Sequence, residues 1–302
     1  MILTVTPNPA IDLTYRVAAL EPGETHRVAA PAVRAGGKGL NVARVIAQTG
    51  GAAFVLTTAG GAPGLRLADD LESSGLPSEL VPVSAPTRSS VAIVDEGSGV
   101  TTIFNESGGA LSAAEWRALG EAVERLAVPA TAIVGSGSLP PGAPDSFYAD
   151  LVAVARRRGV PSVIDATGLP LLAASEAGAD VLKPNRRELA DTVGIDDPVD
   201  GARALLAAGA RLVLVSLGSD GMLAVSGTEV AAARLPQPLA GNATGAGDAA
   251  VAAVAASLAA GIDDPALLVR RATAWSAAAV LAPLAGELDP AYPEYEARLV
   301  LS

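Results

Sequence analysis

The chain reads as an α/β protein: a mostly parallel central sheet covered by helices on both faces, with a small separate sheet beside it. Three observations predict this. From about Ala53 onward, strand-like apolar runs alternate with helix-like stretches, which is the rhythm of βαβ units. The 302 residues are 50% apolar, enough to bury a large core. No linker splits them, so a single domain over 1–302 is expected.

The elements follow in chain order. Asp12–Val17 with Thr25–Ala32, and Ser90–Val94 with Val100–Asn105, read as short strands of β-branched and polar residues. They fall outside the βα rhythm, so strands from about 12–32 and 90–105 are expected to form the small sheet, placed as a lid over a cleft. The glycine turn at Gly36–Gly39 opens a helix with Asn41 in its first turn. Core strands are expected at Phe54–Thr58, Ala132–Gly135, Ser162–Asp165, Val181–Lys183 and Leu212–Leu217. Helices are expected at Gly64–Ser74, Ala113–Leu126, Ser146–Arg158 and Val199–Ala208. A hairpin, Met222–Ser226 with Glu229–Ala233, precedes helices of small residues, the first over Ala249–Ala260.

Composition removes whole classes of chemistry. There is no Cys, which excludes disulfides, thiolate-ligated metals and cysteine nucleophiles. His26 is the sole histidine and sits in a polar stretch, which leaves little from which to build a triad or a multi-histidine metal site. A net charge of −11 argues against nucleic acid and anionic membranes as partners, because both need a basic face. With no basic leader and no apolar stretch long enough to span a bilayer, a soluble cytoplasmic protein is expected. Of 21 basic residues only Lys38 and Lys183 are lysines. Both occupy turn-like contexts, where a compact ammonium on a flexible stem suits a phosphate.

The run Gly241-Asn-Ala-Thr-Gly-Ala-Gly-Asp248, opening a helix, is the most informative segment. Its glycines let backbone amides approach an anion, and the helix start adds partial positive charge. Asp248 beside such a cradle either completes the helix dipole or accepts a proton from a hydroxyl that attacks phosphorus. Residues Gly245–Ala250 also fit the dinucleotide pattern G-x-G-x-x-A, but Leu235–Asn242, with two prolines, cannot be the buried strand which that turn must follow. Nor is Gly36–Gly39 a Walker A loop, since Ala32 and Gly39 stand where Gly and Ser/Thr belong.

Other strand ends carry compatible chemistry. Gly36-Gly-Lys38-Gly-Leu-Asn41 combines a glycine turn, a cation and a helix start able to hold a polyol or sugar phosphate, and Asp12 offers a carboxylate to sugar hydroxyls. Lys183-Pro-Asn185-Arg-Arg-Glu188 sets Asn185 and Glu188 three apart on one helix face, where a hydrated Mg²⁺ could be held. Ser216-Leu-Gly218-Ser-Asp-Gly221 ends a strand with two glycines that suit a nucleotide. Taken singly, each is also ordinary turn chemistry.

These residues carry a resemblance. Asn8-Pro-Ala-Ile-Asp12, Gly36–Asn41, Pro86-Thr-Arg88, Gly137-Ser-Leu-Pro-Pro-Gly142, Lys183–Asn185 with Glu188, Ser216–Gly218 and Gly245–Asp248 occur in the order found in the ribokinase-like (PfkB) carbohydrate kinases. The chain resembles most the branch acting on phosphorylated ketohexoses, which includes 1-phosphofructokinase and tagatose-6-phosphate kinase. The resemblance implies a three-layer αβα sandwich with a β-sheet lid, and a homodimer formed through that lid. It also implies phosphoryl transfer from ATP, with Mg²⁺, to a sugar phosphate, fructose 1-phosphate first, with tagatose 6-phosphate and fructose 6-phosphate as alternatives. On the same ground Asp248 would be the base, and the amides of Gly245, Ala246 and Gly247 the anion hole. Asp12, Gly37, Asn41 and Ser138 would contact the sugar, and Lys38, Arg88 and Arg27 its phosphate. Lys183, Asn185, Ser216, Gly218, Gly221 and Thr244 would serve ATP, and Glu188 with Asn185 the metal. The chain departs from the family pattern at Asn105–Gly109, which lacks a proline, and at Asn242, where many relatives carry an acid; Ala59–Gly64 is closer to the 6-phosphofructokinase variant.

Overall fold

A computed structural model describes every residue except 238 and 240. In chain order the strands and helices are β1 (Ile2–Thr6), β2 (Ala10–Val17), β3 (Ala32–Gly36), α1 (Lys38–Gln48), β4 (Ala53–Ala59), α2 (Gly61–Ser73), β5 (Ser78–Pro82), β6 (Arg88–Asp95) and β7 (Thr101–Asn105). There follow α3 (Ala113–Leu126), β8 (Ala132–Ser136), α4 (Phe147–Arg158), β9 (Ser162–Asp165), α5 (Leu169–Glu176), β10 (Val181–Leu182), α6 (Arg186–Val193), α7 (Pro198–Ala208) and β11 (Leu212–Ser216). The last elements are β12 (Met222–Ser226), β13 (Glu229–Arg234), α8 (Ala246–Ala259), α9 (Pro265–Val280), α10 (Tyr292–Arg298) and β14 (Val300–Leu301).

The main sheet runs β14-β13-β12-β11-β10-β9-β8-β1-β4-β5, parallel from β11 through β5 and antiparallel over the last three strands at the other edge. Side chains alternate between its faces. Val134 packs with α1, α8 and α9 on one side, and its neighbour Ile133 packs with α3, α4 and α7 on the other. The expected three layers follow directly from that alternation. The chain leaves β1 for β4 and β5 on one side and returns to β8 on the other, so strand order reverses between β1 and β8, where open α/β sheets form a crevice.

The second sheet, β3-β2-β6-β7, pairs β2 parallel to β6 and antiparallel to β3. Here one expectation is corrected. Thr25–Pro31 is irregular, exposed through Ala30, and the strand facing β2 is β3, starting at Ala32. Thr25–Ala30 offers no face to bury, and Pro31 cannot donate to a ladder, whereas Ala35 and Gly36 are buried against β2. Helix starts also differ: α2 begins at Gly61, with Pro63 tolerated in its first turn, and α8 begins at Ala246 rather than Ala249. β13 ends at Arg234, and two residues of the expected non-strand stretch Leu235–Asn242, 238 and 240, lie outside the described residues. Among the described residues no helix is long and apolar enough to cross a membrane.

Candidate active site

A cleft of about 950 Å³ opens over the carboxyl ends of β1, β8, β9, β10 and β11, walled on one side by the small sheet through Asp12, Ser90 and Asn105. It brings together nearly every residue the sequence singles out. Asp12, Gly37, Lys38, Asn41, Arg88 and Ser138 line it, as do Lys183, Asn185, Glu188, Ser216, Gly218, Gly221 and Thr244–Asp248. Arg27 does not: it lies in the exposed irregular stretch before β3. The variant-like stretch Ala59–Gly64 likewise contributes nothing to the cleft wall.

The turn into α8 is built around Gly245, whose φ of 86° is left-handed and whose missing Cβ would stand 2.9 Å from the Ala285 Cα. Thr244 N–H donates to Asn242 Oδ1 at 3.0 Å, which fixes the approach to the turn. Of the expected anion-hole amides, that of Ala246 is taken by the Ala243 carbonyl at 3.1 Å, whereas the Gly245 amide, just before the helix, and the first-turn amides of Gly247 and Asp248 have no hydrogen-bond partner among the described residues.

Asp248 is buried on this first turn and accepts a hydrogen bond from Asn41 Nδ2 at 2.8 Å. Burial pushes its carboxyl up to about 7, helped by the nearby Asp165 charge and opposed by Lys38, the Asn41 bond and Lys183. A carboxylate tuned to neutrality beside unengaged amides has the properties of a general base next to an anion.

Asp165, at the end of β9, gathers the two lysines. Lys38 Nζ lies 3.1 Å from its Oδ1, and buried Lys183 Nζ lies 3.6 Å from its Oδ2. Burial alone would raise the Asp165 carboxyl, yet Lys183 and Lys38 outweigh it and hold it below the ordinary range. For Lys38, burial pulls its ammonium down, but Asp165, Glu188 and Asp248 outweigh that and hold it above its usual value. Sequence reasoning placed Asp165 only as a strand end and gave it no role; a lone acid closing an apolar run was the available signal.

Asn185 and Glu188 form a capping box at the start of α6: Asn185 Oδ1 accepts from Glu188 N–H at 2.8 Å, and Glu188 Oε2 accepts from Asn185 N–H at 2.9 Å. The three-residue spacing read as a ligand pair thus also serves to start the helix. Glu188 Oε1 stays on the cleft side, 3.7 Å from Lys38 Nζ. Among the described residues, no three His, Cys, Asp or Glu side chains cluster in a way that would hold a metal alone.

At the small-sheet end, Gly36 lies so close to Asp12 that a Cβ there would fall 2.1–2.2 Å from the Asp12 carboxyl atoms. Burial pushes Asp12 up to about 6 against the pull of Arg88, Arg44 and Arg34. Arg88 is fixed by Nε donating to the Asn8 carbonyl at 3.2 Å and Nη1 donating to the Glu106 carbonyl at 2.9 Å. Asn8 donates in turn to Ser138 Oγ and the Ser107 carbonyl. Asn8, Ser90, Asn105 and Ser107 line the cleft and were not anticipated. The far end, walled by Leu235, Leu239, Ala277 and Val280, is apolar and carries no sequence motif.

Comparison with known proteins gives the family. Residues 5–291 match the family model described as pfkB family carbohydrate kinase. The chain is 35% identical over 267 residues to the ATP-dependent 6-phosphofructokinase isozyme 2 of Mycobacterium tuberculosis, covering 86% of this chain and 78% of that protein. It is 35% identical over 286 residues to the 1-phosphofructokinase of Xanthomonas campestris pv. campestris, covering 91% and 89%. Phosphofructokinase-2 from Escherichia coli, solved in complex with fructose-6-phosphate, matches with a TM-score of 0.88 and 33% identity over 98% of each chain.

Proposed function

Because the chain belongs to the pfkB family of carbohydrate kinases, we propose that it transfers the γ-phosphoryl group of ATP to a hydroxyl of a ketohexose phosphate. Fructose 1-phosphate is the first candidate, with fructose 6-phosphate and tagatose 6-phosphate as alternatives. The observation that carries this reading is one cleft holding a neutral-range carboxylate, unengaged helix-start amides and separate cations toward either end. Use of ATP supports a cytoplasmic location.

The sugar hydroxyl sits against Asp248 Oδ1, the oxygen left over by Asn41. Its oxygen forms the new bond to the γ-phosphorus, the bond from that phosphorus to the β-phosphate bridging oxygen breaks, and the hydroxyl proton passes to Asp248. ADP leaves. Charge on the transferring group is met by the Gly247 and Asp248 amides, which is the larger contribution in a loose transition state. Lys38 stands among Asp165, Glu188 and Asp248, and this supports a role at the transferring phosphoryl group in place of the sugar's own phosphate. Arg88, coupled to Asp12, serves the sugar's phosphate, while Asp12, Gly37 and Ser138 orient its hydroxyls.

The donor set suits Mg²⁺ held chiefly by phosphate oxygens, with Glu188 Oε1 as the protein's hard oxygen and Asn185 fixing its carboxylate. The ion would supply neutralisation of phosphate charge. Lys183, Ser216, Gly218, Gly221 and Thr244 line the nucleotide side, next to the apolar wall that would receive a base. A homodimer through the small sheet fits its exposed Val33 and Phe104, 49% and 60% accessible.

An ADP-release assay with ATP and Mg²⁺ across the three ketohexose phosphates and the free sugars tests the reading. Turnover on at least one phosphorylated ketohexose is expected, and none on any sugar would refute it. Light scattering across a dilution series tests the dimer.

A further inference from the structure

Arg44 is buried on α1, one helical turn after Asn41, and lines no part of the cleft. Its Nη1 donates to the Ala35 carbonyl at 2.7 Å and reaches Asn41 Oδ1 at 3.4 Å, a long but charge-assisted contact. Its Nη2 donates to Asp70 Oδ2 on α2 at 2.9 Å. The proposed reaction uses none of these groups except Asn41.

We infer that Arg44, anchored by Asp70, is a positioning residue that fixes which end of the Asn41 amide faces the base. An Asn side chain can turn either its NH₂ or its oxygen toward a neighbour, and the two ends are nearly equal in shape. An ionised Asp248 accepts only, so the oxygen-first orientation would set two acceptors against each other. A guanidinium donates only, and Arg44 therefore keeps Oδ1 on its own side and Nδ2 toward Asp248. The consequence falls on the base: Oδ2 is occupied and Oδ1 is left for the substrate hydroxyl.

The surroundings reinforce the orientation. Gly286 packs over the pair so closely that a Cβ there would stand 3.0 Å from Asn41 Oδ1 and 3.3 Å from Arg44 Cδ, which fixes where the amide lies and leaves the choice between its two ends to the groups that hydrogen-bond it. Other charges facing Arg44 are Arg34 and Asp12, and those facing Asp248 are Lys38, Asp165 and Lys183. None of these contacts the Asn41 amide among the described residues, so the chain of contacts from Asp70 to Asp248 passes through Arg44 and Asn41 alone.

This inference rests on the kinase reading and on Asp248 as base, and the experiment separates the two. Wild-type turnover with ATP and a ketohexose phosphate is measured first, and its absence overturns both. Given turnover, Arg44→Met is expected to lower kcat at least tenfold while the KM for ATP moves less than threefold. Asn41→Ala lowers kcat comparably, and adding Arg44→Met to it costs less than a further threefold, because the route through the amide is already gone. Arg44→Met keeping more than half of wild-type kcat, or losing its full factor again in the Asn41→Ala background, overturns the inference. Should Arg44→Met fail to fold by thermal melting, Asp70→Asn takes its place, with a two- to fivefold fall in kcat expected and the same suppression by Asn41→Ala required.

Discussion

Replacing Asp165 by Asn tests the electrostatic plan of the cleft most directly, because one buried carboxylate neutralises both lysines of the chain. Lys183 is 3% exposed and has Asp165 as its only ion-pair partner among the described residues; Lys38 has Glu188 as a second. Removing one partner of a buried ion pair typically costs about 3–5 kcal/mol, since the other charge is left uncompensated. Lys38 borders the open cleft and water can screen it, so the lower end, about 3 kcal/mol, is expected. That is a large part of the roughly 5–15 kcal/mol that holds a domain folded, and urea unfolding followed by circular dichroism measures it. The same change acts on the base. Asp248 sits near 7, and with that value roughly a tenth of it is ionised at pH 6 and nine tenths at pH 8. Activity needs the ionised form, so wild-type kcat/KM for the sugar phosphate should rise about tenfold from pH 6 to pH 8. Asp165 raises Asp248, so removing its charge lowers the Asp248 carboxyl. In Asp165→Asn the acid limb should therefore move to lower pH, and the rise from pH 6 to pH 8 should be smaller than in wild type. A variant within 1 kcal/mol of wild type, or a limb that stays put or moves up, would refute the reasoning.

Other predictions follow from the same geometry. Asp248→Asn should lower kcat by about 10²–10⁴ while the ATP dissociation constant, measured by calorimetry, changes less than threefold. A carboxyl raised by folding gives stability that is full below its unfolded value near 3.8 and lost as pH climbs through about 7, so the same variant should melt higher than wild type at pH 8 and not at pH 4. Gly36→Ala should drive a methyl into the Asp12 carboxyl, raising the KM for the sugar phosphate at least tenfold and leaving the KM for ATP within threefold. Equal changes in both constants would show that Asp12 is not held for the sugar by this contact.

Much of the architecture was legible because parallel strands buried on both faces are short apolar runs, and Phe54–Thr58, Ala132–Gly135 and Leu212–Leu217 sit within a residue of β4, β8 and β11. β1 escaped that reading although it lies at the strand reversal, since Leu3–Thr6 alternates apolar and threonine residues and the chain runs on into β2 and β3 before its first helix. β3 was misplaced because a strand in a small open sheet is chosen by its partner: Asp12 faces Arg34 across the ladder, and only a glycine at 36 leaves room for the carboxyl. The turn at Gly245 and the lysines were legible for a local reason, since a left-handed glycine or a lysine in a turn carries its chemistry within a few residues. Asp165 was not, because its role exists only once α1 brings Lys38 from 127 residues away and β10 brings Lys183 to the same strand end. Asn185 and Glu188 show the converse ambiguity. Spacing by three residues puts them on one face whether they hold a cation or cap a helix, and the fold answers by using Glu188 Oε2 for the cap and leaving Oε1 on the cleft side. One carboxylate can thus start a helix and face a phosphate, so the helix starts that close the sheet's carboxyl edge and the groups that handle the substrate are the same residues.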